Sequence, residues 1–213
     1  MTRDINHWNR VSGLPADLVE KLPSQPTYHR LIRTALRLRP GDRVLDLGCG
    51  TGAHLSTLRD EVGPDGHVLA LDYSPRMVAK AAARAAEWDN VEVRQADATT
   101  VELEEAAYDA VLASFSISAT QDVPAAVANV HRALRPGGRL FAPDMRLVPG
   151  GLGAPLIWTF GVIYRSIARW TGVDVLDTVR ATFGNAEVVN GEGEPLPALP
   201  AFAPVVMITA TRG

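Results

Sequence analysis

Val44-Leu45-Asp46-Leu47-Gly48-Cys49-Gly50-Thr51-Gly52-Ala53 is the stretch whose reading decides the fold. Arg43 to Leu47 has the short apolar run of a buried strand. It breaks at three alternate glycines, and the chain reopens as a helix through Leu55 and Leu58. Strand, glycine turn and helix in that order open a sheet in which each crossover packs back over the strands. One carboxylate, Asp46, sits inside the strand two residues before the turn.

Upstream, Leu31, Ile32, Ala35, Leu36 and Leu38 mark one face of a helix over Pro26–Arg39, which Pro40-Gly41 stops. Downstream the unit repeats. Gly63-Pro64-Asp65-Gly66 turns the chain, His67–Leu71 reads as a strand ending at Asp72, and Ser74–Glu87 as a helix with Ser74 as N-cap and Pro75 behind it. Further strands are expected at Val91–Arg94, ending at Asp97, and at Tyr108–Phe115, which runs out into Ser114, Ser116 and Ser118. A helix over Val123–Leu134 finishes at Arg135-Pro136-Gly137-Gly138, and Arg139–Pro143 is the fifth strand. Alternation of this kind requires a parallel sheet covered on both faces.

Past Gly150 the rhythm changes. A long apolar helix is expected over Pro155–Trp170, a second helical stretch near Val173–Phe183, and a terminal antiparallel hairpin from Ala186–Asn190 and Val205–Thr211. The predicted class is α/β: a single doubly wound, mostly parallel seven-stranded sheet with an antiparallel C-terminal strand. One domain spans 1–213, with a helical cap at 1–40, a cofactor-binding half at 41–145, and substrate-side helices with the hairpin at 146–213.

Composition narrows the partners. With 213 residues, 46% hydrophobic and 21% charged, the chain can bury a core without staples. A net charge of -3 with scattered Lys and Arg gives no footprint for a phosphate backbone, so nucleic acid is not an expected partner. Cys49 is the only cysteine, which rules out an internal disulfide and a cysteine zinc cage, and no residue set calls for a metal. Met1–Arg10 has no apolar signal region, and Leu152–Ala168 falls short of the roughly 20 residues a membrane span needs. A cytoplasmic monomer or homodimer is the expectation. Peripheral membrane contact stays open through the arginine-bearing apolar helix near Trp158–Arg169.

Open parallel sheets bind ligands beyond the carboxyl ends of their strands, so Asp46, Asp72, Asp97 and Ser114 should converge on one crevice. The glycines alone also satisfy a dinucleotide fingerprint. Asp46 helps decide, because a carboxylate beside the turn would repel a pyrophosphate, whereas it can accept hydrogen bonds from an ammonium group. Asp72, 24 residues beyond Gly48, can take two ribose hydroxyls in either kind of site, and Asp97-Ala98 offers a carboxylate to an adenine amino group with room for the ring. Three acids at successive strand ends suit a cationic sulfonium nucleoside.

As a set these residues resemble the class I S-adenosylmethionine-dependent methyltransferases. Val44–Gly52 looks like their first motif and Asp72-Tyr73-Ser74-Pro75-Arg76-Met77 like the acidic second one. Ala96-Asp97-Ala98, Tyr108-Asp109-Ala110-Val111 and Leu134–Leu140 continue the series. The likeness covers roughly residues 26 to 145 and fades beyond Arg146. Phe115–Leu140 and Gly63–Gly66 are most similar to the ubiquinone/menaquinone C-methyltransferases and the bacterial phosphatidylethanolamine N-methyltransferases. The resemblance implies a Rossmann-like methyltransferase fold, S-adenosylmethionine as cofactor with S-adenosylhomocysteine as product, and cofactor contacts at Asp46, Gly48, Cys49, Gly50, Thr51, Gly52, Asp72, Tyr73, Met77, Asp97, Ala98, Ser114 and Phe115. It also implies an N-terminal segment that closes over the cofactor, bringing in Trp8, Tyr28 and His29.

The expected reaction is in-line methyl transfer to a small, hydrophobic or aromatic metabolite or a lipid-like acceptor. The protein would hold the nucleophile about 3 to 3.5 Å from the methyl carbon and exclude water. His29 and His54 are the candidate bases, their ordinary pKa suiting removal of a phenol or ammonium proton. His54 is read as one turn into the helix after the glycines. Substrate contacts are expected at Trp8, Tyr28, Asp144, Trp158 and Tyr164. Bland alternatives stand beside these: Cys49 as an inert packing residue, Met77 as core, His67 at a turn and His131 on an exposed helix face. The rival functions are an NAD-dependent oxidoreductase and an S-adenosylmethionine-binding protein that no longer methylates, as a cyclase or scaffold.

Overall fold

The computed structural model describes residues 25–146, 171–197 and 205–213. The expected helix over 155–170 and the candidates Trp8, Trp158 and Tyr164 lie outside the described residues. In chain order the elements are α1 (Gln25–Leu36), β1 (Arg43–Leu47), α2 (Leu55–Val62), β2 (His67–Asp72), α3 (Pro75–Arg84), β3 (Val91–Gln95), β4 (Tyr108–Leu112), α4 (Val123–Ala133), β5 (Leu134–Met145), α5 (Val175–Phe183), β6 (Glu187–Val189) and β7 (Val205–Thr211).

The seven strands form one sheet in the order β3-β2-β1-β4-β5-β7-β6. β1, β2, β3, β4 and β5 pair in parallel, and β7 runs antiparallel between β5 and β6. The chain winds outward from β1 to β3, returns, and winds the other way from β4. The reversal between β1 and β4 is where such a sheet opens a crevice at its carboxyl ends.

Alternation along each strand sorts the core into two layers. Leu45, Leu47, Leu69, Leu71 and Val111 face Val123, Val127 and Val130 of α4 and Val175, Leu176 and Val179 of α5. Val44, Val68, Ala70, Ala110, Leu112 and Phe141 face Leu31, Ile32 and Leu36 of α1, Leu55, Leu58 and Val62 of α2, and Ala81 of α3. Burial on both faces explains why β1 and β2 read as continuous apolar runs.

Several boundaries depart from expectation for local reasons. α1 ends at Leu36, before the proline, because Arg37 takes a left-handed conformation (φ 48°) and its amide closes on Arg33 O. α3 starts on its expected cap, Ser74 accepting from the Met77 amide, but stops at Arg84. β4 stops at Leu112, and Phe115 three residues on has φ 52°. β5 begins at Leu134 and includes the Arg135–Gly138 excursion, its register to β4 jumping from Tyr108↔Leu134 to Ala110↔Arg139. β2 starts at His67, where the strand was expected, and His131, expected on an exposed helix face, packs edge-on against the Phe183 ring 4.8 Å away.

Candidate functional site

β1 delivers Asp46 to the crevice at 1% exposure, and its Oδ2 has no hydrogen-bond partner among the described residues. Burial, with the Asp72 charge second, pushes its carboxyl up to about 7. A desolvated carboxylate next to a second one is held in its charged form poorly, and a cation is what it lacks.

The turn after β1 is sewn to β2. Gly48 and Cys49 donate to Leu71 O at 2.7 and 2.9 Å, and Gly50 N donates to Asp72 Oδ2 at 2.9 Å. The expectation that ligand lies against all three glycines needs sorting. A Cβ on Gly48 would sit 2.3 Å from Ser116 Cβ, so that position serves the close approach of the loop after β4. A Cβ on Gly50 would meet nothing within 4 Å, which leaves its backbone facing open space. Gly52 packs against Ala81 of α3, and Thr51 is buried beside it.

Asp72 is half-buried and lies level with this opening. Its Oδ1 accepts from Ser74 N at 2.8 Å and its Oδ2 from Gly50 N. A carboxylate has about four acceptor positions, so two backbone donors leave capacity for a diol. Burial raises its pKa while the two amides pull it back down. Tyr73 is half-buried beside it, and Met77 is 2% exposed at the first turn of α3.

Asp97 follows directly on the β2–β3 pairing, since Ala96 N donates to Asp72 O at 3.0 Å. Its Oδ1 accepts from Thr99 N at 2.9 Å and Thr99 Oγ1 at 2.7 Å, which ties it into its own turn. Ala98 is held by Asn129, whose Nδ2 donates to Ala98 O at 2.9 Å. Asp46 and Asp72 are thus one electrostatic pair, while Asp97 stands at the neighbouring strand end with a local partner.

On the other side of the switch point, α1 closes the crevice. The Tyr28 hydroxyl and Ser114 Oγ are 2.6 Å apart. Burial, reinforced by the charges of Asp46 and Asp144, pushes the phenol up, so Tyr28 stays protonated. His54 occupies the N-cap of α2 rather than the turn beyond it, its ring 5.2 Å from Tyr28 and 5.5 Å from His29. His29 Nε2 is buried without a hydrogen-bond partner among the described residues, and burial with the Arg33 charge lowers its pKa. The two candidate bases are therefore neighbours. Phe115 sits next to Ser114 at 44% exposure in its left-handed conformation.

Asp144 is 0% exposed. It accepts from Ser118 N at 2.9 Å, from the Ser118 hydroxyl and from Met145 N at 2.7 Å, and burial pushes it up to about 6. Its oxygens fasten the loop after β4, so it shapes the crevice from behind. Ser116, Ser118 and Asn129 are contributors that sequence reasoning did not single out as site residues. The alternate serines at the end of the fourth strand and an amide amid the apolar α4 face were the available signals. Cys49 is buried, and burial raises its thiol pKa well above the ordinary range, which matches an inert packing residue. Among the described residues no cluster of metal-ligating side chains occurs, and no helix is long and apolar enough to cross a membrane.

Residues 44–138 match the protein-family profile described as a methyltransferase domain. A nocamycin O-methyltransferase of Saccharothrix syringae is 41% identical over 104 residues, which is 48% of this chain and 37% of that one. A demethylmenaquinone methyltransferase of Thermus thermophilus is 36% identical over 159 residues, 74% of this chain and 64% of its own. The chain thus spans less than two thirds of the length of either relative. Among solved structures, a SAM-dependent methyltransferase from Aquifex aeolicus superposes over 100% of both chains with a TM-score of 0.61 at 20% identity, a likeness of fold.

Proposed function

We propose that this chain, whose residues 44–138 match a methyltransferase domain, transfers a methyl group from S-adenosylmethionine to a small hydrophobic or aromatic acceptor. The observation that carries this is the Oδ2 of the fully buried Asp46, without a hydrogen-bond partner among the described residues, beside an open glycine backbone. That pairing suits the ammonium end of a methionine moiety and would be hostile to a pyrophosphate.

Asp46, Gly50 and Thr51 would hold the amino-acid end, Gly48, Cys49 and Gly52 the shape of the turn, and Asp72 the ribose through its spare acceptor capacity. Tyr73, Met77, Asp97 and Ala98 would line the adenine, with Ser114 and Phe115 across from them. When bound, the cofactor supplies an activated methyl group on a sulfonium leaving group. The chain's own work is then to orient the acceptor and exclude water.

Tyr28, His29 and His54 form an aromatic wall over the turn, and Phe115 adds an exposed ring, which together favour an apolar or aromatic acceptor over a charged one. With its pKa lowered, His29 is neutral at pH 7 and its Nε2 can accept a proton from an acceptor hydroxyl. His54 is the second candidate for that step, through its contact with His29.

The test is methyl incorporation from isotopically labelled S-adenosylmethionine, read by mass spectrometry, into a panel of quinols, phenols, small amines and ethanolamine-headgroup vesicles. Labelled product from a quinol or phenol is expected, with His29→Asn lowering its kcat by about 10²–10⁴-fold. Tight cofactor binding with no product across the panel would instead point to a non-methylating role.

A further inference from the structure

Away from the crevice, a cavity of about 200 Å³ lies between the end of α1 and the β5-β7-β6 edge. Its position follows from alternation. Phe141, Met207 and Val189 pack in the α1-side layer, so Arg139, Thr209, Thr211 and Glu187 point to that same side toward the amino ends of the parallel strands, with Arg139 opposite Thr211 and Glu187 opposite Thr209. The apolar layer thus turns polar at the cavity that Arg37 helps to line.

Two features of this cavity lack a structural reason. Arg37 and Arg139, which both line the cavity, form no ion pair with a carboxylate among the described residues, Glu187 on the same wall included. Arg139 is half-buried, and desolvation followed by the charges of Arg37 and Arg39 weakens its hold on its proton, with Asp42 opposing them. Secondly, Arg37 holds φ 48° at the position after a helix where glycine or asparagine is the ordinary occupant. Arg37 thus lines the cavity from an exposed position on a strained backbone, and such strain is a marker of a site.

We propose that this cavity is an oxyanion site, taking the phosphate or carboxylate group of a small ligand between the Arg37 and Arg139 guanidiniums, with the Thr209 and Thr211 hydroxyls as further donors. Guanidinium forks match such groups bidentately, and desolvation strengthens the contact. Glu187 lines the same cavity and opposes the charge, so it limits the affinity. The site lies at the opposite end of the sheet from the crevice and does not depend on the assigned reaction.

Calorimetry and thermal melting of the full chain with inorganic phosphate and with citrate, at constant ionic strength against chloride, test it and separate the two anion sources. Saturable binding and a raised Tm are expected from at least one, with affinity falling at least tenfold in Arg37→Gly and in Arg139→Gln and rising in Glu187→Gln. Arg37→Gly suits its backbone conformation, so it should keep the unliganded Tm while losing the response to anion. No saturable binding, or binding that both arginine variants retain in full, overturns the proposal. Circular dichroism of Arg139→Gln guards against a folding defect, and Arg37→Gly decides the matter should that variant unfold.

Discussion

The two ends of one sheet carry opposite charge. At the carboxyl ends Asp46, Asp72 and Asp144 are gathered with little exposure, and burial raises the pKa of each. At the amino ends Arg139 lies with Arg37 and Arg39 close by, while Arg43 and Arg135 are paired off with Glu104 and Asp109. The charge each end presents is set by side chains placed just before or after the apolar runs of the strands. Among the described residues, Asp46 Oδ2 at one end is buried without a hydrogen-bond partner, and at the other end Arg139 lines a cavity with Arg37.

The contrast breaks most sharply at Asp46. Asp46→Asn keeps the shape and removes the charge, so the affinity for S-adenosylhomocysteine should fall about 10- to 150-fold, the loss of a charged hydrogen bond of roughly 1.5–3 kcal/mol. The same variant should melt higher than the wild type without ligand, because it relieves a buried like-charge pair. Calorimetry and differential scanning fluorimetry read the two effects.

Acid comes next in size. Asp46 and Asp144 have folded pKa values of about 7 and about 6, raised above the ordinary 3.8. Groups raised in this way stabilise the fold fully below their unfolded pKa and lose that contribution as pH rises through the folded value. The ligand-free protein should therefore melt lower at pH 8 than at pH 5 as far as these two groups decide it, by about 2–4 °C per kcal/mol. Cofactor affinity should run the other way, weakening by up to about tenfold per unit as pH falls below about 7, since protons compete for Asp46. Asp46→Asn should flatten both slopes.

Removing the Tyr28 hydroxyl sharpens the comparison from the lid side. Tyr28→Phe leaves Ser114 without its partner and should cost about 1 kcal/mol in stability by chemical denaturation. It should weaken cofactor binding by less than Asp46→Asn does. At the amino end, Arg135→Ala breaks a half-exposed ion pair with Asp109 and should change stability by less than about 1 kcal/mol.

How much of this the sequence disclosed follows the same division. β1, the glycine turn and β2 were legible because their signals are local: a run buried on both faces, glycines at fixed offsets, a proline behind Ser74. The positive-φ residues Arg37 and Phe115 were not, since nothing in their residue type announces a left-handed conformation, and they moved two boundaries. The pairing of His29 with His54 is long-range, set by how α1 lies over α2, so sequence could nominate each histidine but not their contact. Asp144 illustrates the converse. Its place at a strand end suggested either a substrate contact or a turn cap, and its burial and bond to Ser118 N favour the structural reading. The cavity at the amino ends was invisible because it needs β5, β6, β7 and α1 in register at once.

Cofactor binding here requires a positively charged nucleoside to meet the carboxylates at the ends of β1 and β2. Calorimetric titration of S-adenosylmethionine into the wild type and into Asp72→Ala at pH 7.5 tests it most directly. A loss of at least tenfold in affinity is predicted; equal affinities in the two proteins would contradict the account.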